Sequence, residues 1–411
     1  MCSKDIVLSL DALDRQEAGP AAAPARLASL AIGSLAIGGF AIGTTEFVSM
    51  GVLPNIAADV HVSIPTAGHF ITAYALGVVV GAPLLAIAGA RLARKTQLLL
   101  LMSAIGVGNA LSALAPNYPA LLAARFVSGL PHGAFFGVGG VVAASLVTAE
   151  RRGRAVSRMM LGLTIANIIG VPISTSLGQS FGWRATYAVV TVLAAITVAA
   201  VWRFVPFEAA HRDASIGREL TALRRTQVWF TLATGAVGFG GFFAVYSYIT
   251  PTLTTLAHFR PGAVPIALCL WGVGMTVGNV FGGRLADWSI SGAVFVGLAT
   301  VAATLLVFTQ TVHGPITAVA TLFFLGASGS LIFPALQTRL MDAAHHGQNL
   351  AGSLNHSAFN LANALGAFLG GVVIAAGYGY TAPSVVGAGM AVGGMAVFAV
   401  ALLLARRANV A

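Results

Sequence analysis

A chain of 411 residues would ordinarily make two or three soluble domains, but 57% of this one is hydrophobic, only 8% is charged, and the mean hydropathy is +0.88. Soluble proteins carry roughly 25% charged residues, so this composition cannot build a water-facing surface. The net charge of +10 would suit nucleic acid, but the basic residues sit in short loops beside apolar runs, which is a topological signal, and no nucleic-acid partner is expected.

Residues 1–26 mix acids and bases without the apolar core of a signal peptide, and they read as a cytoplasmic tail. Crossing ~30 Å of hydrocarbon takes ~20 mainly apolar residues as a helix. On that measure the chain contains twelve spans, near 28–53, 67–90, 96–115, 119–146, 157–180, 184–205, 227–251, 264–286, 291–311, 315–339, 352–376 and 381–405. The longest polar connection, 206–225, divides them six and six. The predicted organisation is therefore an all-α membrane protein with a tail (1–26), a six-helix bundle (27–205), a cytoplasmic central loop (206–225), a second six-helix bundle (226–405) and a cytoplasmic tail (406–411).

Basic residues mark the cytoplasmic side of a membrane protein. The tails and alternate loops hold nineteen of the 22 Lys and Arg; the other set of loops holds Arg184 and Arg260, and Arg125 lies inside a span. Both termini are accordingly placed in the cytoplasm. Internal repetition supports two related halves. GARLAR at 89–94 is echoed by GGRLAD at 282–287, and ANIIG at 166–170 by ANALG at 362–366, each matching a span to the sixth span after it. Repeat architectures of this kind place substrate near the bilayer midplane, between the halves.

Ionisable groups inside hydrocarbon are costly and mark function by default. Of twelve acids only Glu46 lies well inside a span, and of 22 bases only Arg125. At 1.5 Å per residue both sit about 10 Å from the same edge of the membrane. Matching depth points to a pair: either a static lock between the first and fourth spans, or a carboxyl that takes up and releases protons beside an arginine. His132 lies two turns beyond Arg125 on the same face. With Asn167, Tyr246, Asn279, Asn355, Asn360 and Asn363 it makes up a set of polar side chains expected to line a cavity, although any one of them could equally be a packed interhelical contact. Gln337 and His356 belong to the same set, and His69, Tyr74 and Tyr246 are its weaker members. Pro83, Pro131, Pro172 and Pro334 each remove a helical hydrogen bond inside a span.

Other chemistry is excluded. The only lysines, Lys4 and Lys95, stand outside any P-loop context, so transport powered by ATP is not expected. Cys2 and Cys269 offer neither a disulfide framework nor zinc-ligand spacing. No metal, cofactor or catalytic set is predicted.

GTTEFVSMGVLPNIAADV at 43–60 and RFVSGLPHGAFFGVGG at 125–140 resemble the first and fourth helices of the major facilitator superfamily. The likeness is to its drug:proton antiporter group, and within that to AraJ-type sugar-efflux permeases. The resemblance implies twelve helices, alternating access and residence in the bacterial inner membrane. It makes Glu46 similar to the group's first-helix acid and Arg125 to its fourth-helix arginine, both tied to proton coupling. The superfamily's gating-loop motif has Arg94 where its first copy expects Asp; the second copy keeps Asp287, followed by Trp288-Ser289 in place of a basic tail. The fifth-helix antiporter motif is represented by Gly162, Gly170, Pro172 and Gly178, with Gly and Pro not adjacent. The expected function is proton-coupled efflux of a small organic solute such as a sugar or drug by a monomer in the lipid bilayer; the alternative is a proton symporter importing a nutrient.

Overall fold

The computed structural model describes residues 24–89, 91–207, 224–344 and 348–408. The first 23 residues, most of the central loop 206–225, the His345-His346 pair and the last three residues of the C-terminal tail lie outside them. Twelve helices among the described residues are long and apolar enough to cross a membrane. They are α1 (Ala25–Gly51), α2 (Ile64–Gly89), α3 (Arg94–Leu114), α4 (Tyr118–Ser145), α5 (Arg152–Phe181), α6 (Arg184–Phe204), α7 (Thr226–Ser247), α8 (Pro261–Trp288), α9 (Ile290–Thr311), α10 (Pro315–Ala344), α11 (Leu354–Ala375) and α12 (Ala382–Arg407). The predicted spans match these to within a few residues.

Local chemistry sets the ends and breaks. Asn117 caps α4, its side chain accepting from the Ala120 amide at 3.1 Å. Ser289 does the same for α9 through Gly292 at 3.0 Å. The turn from α5 to α6 passes through Gly182 at φ +90°, a conformation that costs glycine little. α4 is interrupted at Leu130-Pro131, between Tyr118–Gly129 and His132–Ser145, and α10 is interrupted at Leu331. In α5, Ala166–Gly170 forms a π turn in which the Val171 amide reaches back to the Ala166 carbonyl. Pro172 follows it and has no N–H to give. The related ANALG segment lies inside regular α-helix.

Packing repeats between the halves. A Cβ on Gly77, Gly81 or Gly129 would collide with the carbonyl of Phe126, Leu130 or Tyr74, which holds α2 against α4. A Cβ on Gly274, Gly278 or Gly326 would collide with the carbonyl of Phe323, Ala327 or Trp271, which holds α8 against α10. Every member of the first set maps onto its counterpart by a shift of 197 residues. Small residues at such crossings bring backbones within van der Waals contact, which drives association where lipid is as apolar as the helices themselves. Short helices Leu53–Asp59 and Ile249–Thr255 follow α1 and α7.

The halves meet mainly through α2 against α11 and α5 against α8, and the two ends of the molecule differ. The end without the basic loops is closed. There Thr250 donates to the carbonyls of Met50 and Gly51 at 2.9 and 3.1 Å, the Tyr248 hydroxyl packs onto Gly68 of α2, and one apolar core runs through both halves. Toward the basic end the N-terminal half has a core of its own, and Val228, Leu340 and Ala344 form another in the C-terminal half. On α8, Gly272 is pressed onto the Asn167 carbonyl of α5. Two turns farther toward the basic end, on the same helix face, Asn279 is exposed. The halves part along that face.

Candidate functional site

Arg125 sits on the first segment of α4 with none of its surface exposed. Its Nη1 donates to Thr45 Oγ1 and its Nη2 to the Thr45 carbonyl, both at 3.0 Å. Thr45 Oγ1 in turn donates to Asn109 Oδ1 at 2.5 Å, and Asn109 Nδ2 is held by the Ile105 carbonyl at 2.8 Å. The guanidinium lies 4.3 Å from the centre of the Tyr74 ring and 5.1 Å from that of Tyr187. Tyr187 is fixed by Ser49 at 2.8 Å. Helices α1, α2, α3, α4 and α6 thus converge on one cation, which is how a buried charge is made tolerable. Arg125 Nε alone has no partner.

The ion pair expected between Glu46 and Arg125 does not form: the arginine is taken up by the residue next to the acid. Consecutive residues of an α-helix point about 100° apart, so Thr45 faces α3 and α4 while Glu46 faces across the interface. The Asn360 side chain on α11, in the other half, lies beside Glu46, although its Nδ2 donates to the His356 carbonyl at 3.2 Å; Arg125, Tyr74 and Tyr246 lie within electrostatic range. Glu46 is buried, at 6% exposure.

The remaining sequence candidates separate into groups. Tyr246 is fully buried, stacked on Trp271 at 4.6 Å and tilted against Phe47 at 5.6 Å; it belongs to an aromatic wall that includes Phe242 and Phe243. Asn167 donates to the Leu163 carbonyl at 3.0 Å and keeps Oδ1 unpartnered at the π turn. Asn360 Oδ1 and both polar atoms of Asn363 are buried without partners. Asn355 donates to Gln337 on α10. His132, at the start of the second segment of α4, is bonded to Tyr74. Asn279 is exposed on the parted face, and Asp287 is exposed in the last turn of α8. Arg94 opens α3.

Thr45, Asn109 and Trp271 were not singled out by sequence. Thr and Asn inside apolar spans are too common to signal a role, and Trp271 reads as ordinary core. One signal was available: Thr45 and Ser49 flank Glu46 at helical spacing, making the face around the acid hydroxyl-rich.

Residues 35–355 match the profile of the Major Facilitator Superfamily. The chain is 43% identical over 346 residues to the inner membrane transport protein YdhP of Escherichia coli K12, covering 84% of this chain and 89% of that one. It is 31% identical over 343 residues to a chloramphenicol resistance protein of Streptomyces lividans, covering 82% and 86%. In fold it is similar to a solved bacterial homologue of the human lysosomal transporter Spinster, with a TM-score of 0.70 at 14% identity over 92% of this chain and 96% of that one.

Proposed function

The chain belongs to the major facilitator superfamily and is a multi-pass membrane transporter of small solutes, and on that premise we propose that it exports an uncharged organic solute in exchange for protons, with Glu46 as the proton carrier. The basic end is cytoplasmic in this reading, so the closed end faces outward and the parted face of α5 and α8 opens inward. One observation carries the proposal: Glu46, the only acid well inside a span, points across the interface toward Asn360, while Arg125 is fixed elsewhere by Thr45. A carboxylate with no dedicated counter-ion at a moving interface is the group whose charge two access states would treat differently. Protonation favours the state that buries it, and it is buried here with the basic end parted; opening of the closed end hydrates it and lets it take up a proton, which must then leave toward the cytoplasm.

Arg125 is the positioning residue of this scheme. Its fixed positive charge stays within electrostatic range of Glu46 in the N-terminal half, so movement of the C-terminal half changes the surroundings of the acid without moving the base. The neutral amides of Asn167, Asn360 and Asn363 offer unpartnered donors or acceptors to a solute with hydroxyl or amide groups. An anionic solute would find Arg125 already engaged by Thr45 and would carry a heavy desolvation cost. The name of the Streptomyces relative makes chloramphenicol a suitable first probe.

The test begins with a thermal-shift screen of neutral solutes including chloramphenicol, since a ligand that binds only the folded state raises its stability by mass action. The best stabiliser is then followed in proteoliposomes under an imposed pH gradient. Glu46→Gln is expected to abolish gradient-driven flux while retaining solute exchange at equal pH. Undiminished gradient-driven flux in that variant overturns the assignment. In the same vesicles, solute movement opposite in direction to proton movement is expected; co-directional movement replaces export with import.

A further inference from the structure

Two histidines, His132 and His356, stand together beside the cluster around Arg125. His132 is almost wholly buried, at 1% exposure, and its Nδ1 lies 3.1 Å from Tyr74 Oη. Its ring is 5.9 Å from that of His356 on α11. His356 stacks flat on Phe136 of α4, with centroids 5.0 Å apart and planes 5° apart, and it is only half-buried. The pair therefore spans the interface between the halves, and its second member is only partly covered.

Their depths fall in order. Counted at 1.5 Å per residue from the closed-end terminus of its own helix, Glu46 lies about 8 Å in, Tyr74 about 15 Å, His132 about 21 Å and His356 about 28 Å. The groups facing His132 are Tyr74 from α2, His356 from α11, Glu46 from α1 beyond Tyr74, and Arg125 one segment earlier on α4. The basic residues of α3 and α5 lie within the first two turns of those helices, at the basic end. A phenylalanine at 132 would pack against Phe136 as well as an imidazole does, and a hydroxyl-bearing residue would satisfy Tyr74. Only imidazole accepts a proton on one nitrogen while giving one up from the other.

We propose that Tyr74, His132 and His356 form the proton path between Glu46 and the basic end. The proposal rests on the reading of Glu46 as the proton carrier. A proton leaving the Glu46 carboxyl passes, directly or through one water, to Tyr74 Oη, as the tyrosine's own hydroxyl proton moves to His132 Nδ1. His132 then releases its Nε2 proton to His356, which passes one to water on the parted side. A return of His132 to its starting tautomer resets the path. One proton enters, one leaves, and no electrons are transferred. Arg125, lying over the Tyr74 ring, keeps that ring in place.

The test needs no transported solute. Purified protein in lipid vesicles is subjected to a rapid pH jump, and the carboxyl stretching band of Glu46, identified by its loss in Glu46→Gln, is followed in time. His132→Asn keeps an acceptor for the Tyr74 hydroxyl but cannot pass a proton on. With it, and with His356→Gln, the rate of change of the band is expected to fall by about tenfold or more, while the equilibrium midpoint and the band's amplitude stay unchanged. Unchanged amplitude also shows that the variants are folded, and Tyr74→Phe is expected to behave in the same way. Unaltered rates in both histidine variants overturn the path and leave the Glu46 reading intact. Absence of any Glu46-dependent band removes the Glu46 reading and the path together.

Discussion

Thr45 is the residue on which the environment of Arg125 turns, and replacing it by valine keeps its shape while removing its hydroxyl. Two bonds disappear in Thr45→Val: Arg125 Nη1 to Oγ1 at 3.0 Å and Oγ1 to Asn109 Oδ1 at 2.5 Å. A hydrogen bond to a charged group contributes about 1.5–3 kcal/mol, and a buried acceptor stripped of its donor costs about 1–3 kcal/mol. The bond from Nη2 to the Thr45 carbonyl and the faces of Tyr74 and Tyr187 remain, so we expect a net loss of about 2–4 kcal/mol. Thr45→Ser keeps the hydroxyl and loses one methyl, about 0.8 kcal/mol. Ser49→Ala, which breaks the neutral bond to Tyr187, belongs near the average of about 0.6 kcal/mol for interhelical bonds in membranes.

The assay is reversible unfolding in mixed micelles by denaturing detergent. Its decisive arm is a double-mutant cycle. Once Arg125→Leu has removed the charge, Thr45→Val loses its charged donor and leaves only the Asn109 acceptor stranded. The double variant is therefore expected to be clearly more stable than the sum of the single losses. Strict additivity, or a Thr45→Val variant that unfolds with Thr45→Ser, would refute the claim that Thr45 is what makes the buried cation tolerable.

Gly77→Val and Gly274→Val sit at equivalent crossings against the Phe126 and Phe323 carbonyls; each is expected to lower stability by about 1–3 kcal/mol through overpacking, and one tolerated substitution would break the equivalence of the halves. In a background with Cys2 and Cys269 both replaced by serine, Asn279→Cys is expected to react with a water-soluble maleimide, and a residue facing lipid would stay unlabelled. Arg184 donates to Asp59 at 2.5 Å and holds its carboxyl below the ordinary value of 3.8. A lowered carboxyl contributes stability above that value and loses it as pH falls through the folded one. Because both side chains are some 40% exposed or more, the pair contributes under about 1 kcal/mol: Asp59→Asn is expected to melt slightly lower at neutral pH, with the difference vanishing in acid and in high salt.

The twelve spans and their six-and-six division were legible because hydropathy is local and cumulative. The lone charges were legible because a single acid in 26 apolar residues cannot be ordinary. What joins them was not. Partner choice depends on the rotation of α1 about its axis, and the 100° between Thr45 and Glu46 decides whether Arg125 meets a hydroxyl or a carboxylate. The link from Tyr74 to His132 is similarly a product of the close α2–α4 crossing at Gly77, Gly81 and Gly129, which no spacing within one helix announces. The repeat was visible in ANIIG and ANALG, yet their backbones differ because Pro172 follows one of them closely and no proline follows the other.

The shift of 197 residues places Tyr74 on Trp271, Arg125 on Leu322 and His132 on Gly329, while Thr45 and Glu46 fall on Phe242 and Phe243. Glu46, Arg125, His132, Thr45 and Asn109 thus have apolar or glycine counterparts in the C-terminal half (Phe243, Leu322, Gly329, Phe242 and Leu306), whereas Ser49 and Tyr187 fall on Tyr246 and Ser384. There the positions of Thr45 and Glu46 are filled by Phe242 and Phe243, packed edge-on to each other and joined by Phe239, which stacks on Phe242. This asymmetry follows from burial. Two such charges in each half would double the desolvation cost without adding a second moving interface, because rocking one rigid half against the other changes the surroundings of both at once. A single acid that looks across the interface at neutral amides senses the whole motion. In the proposed cycle, opening of the closed end must then break the Thr250 bonds to Met50 and Gly51 and the contact of Phe47 with Tyr246, while the face of α8 at Asn279 closes onto α5. Glu46 lies five residues from Gly51 and next to Phe47, so the acid sits at the contacts that separate first.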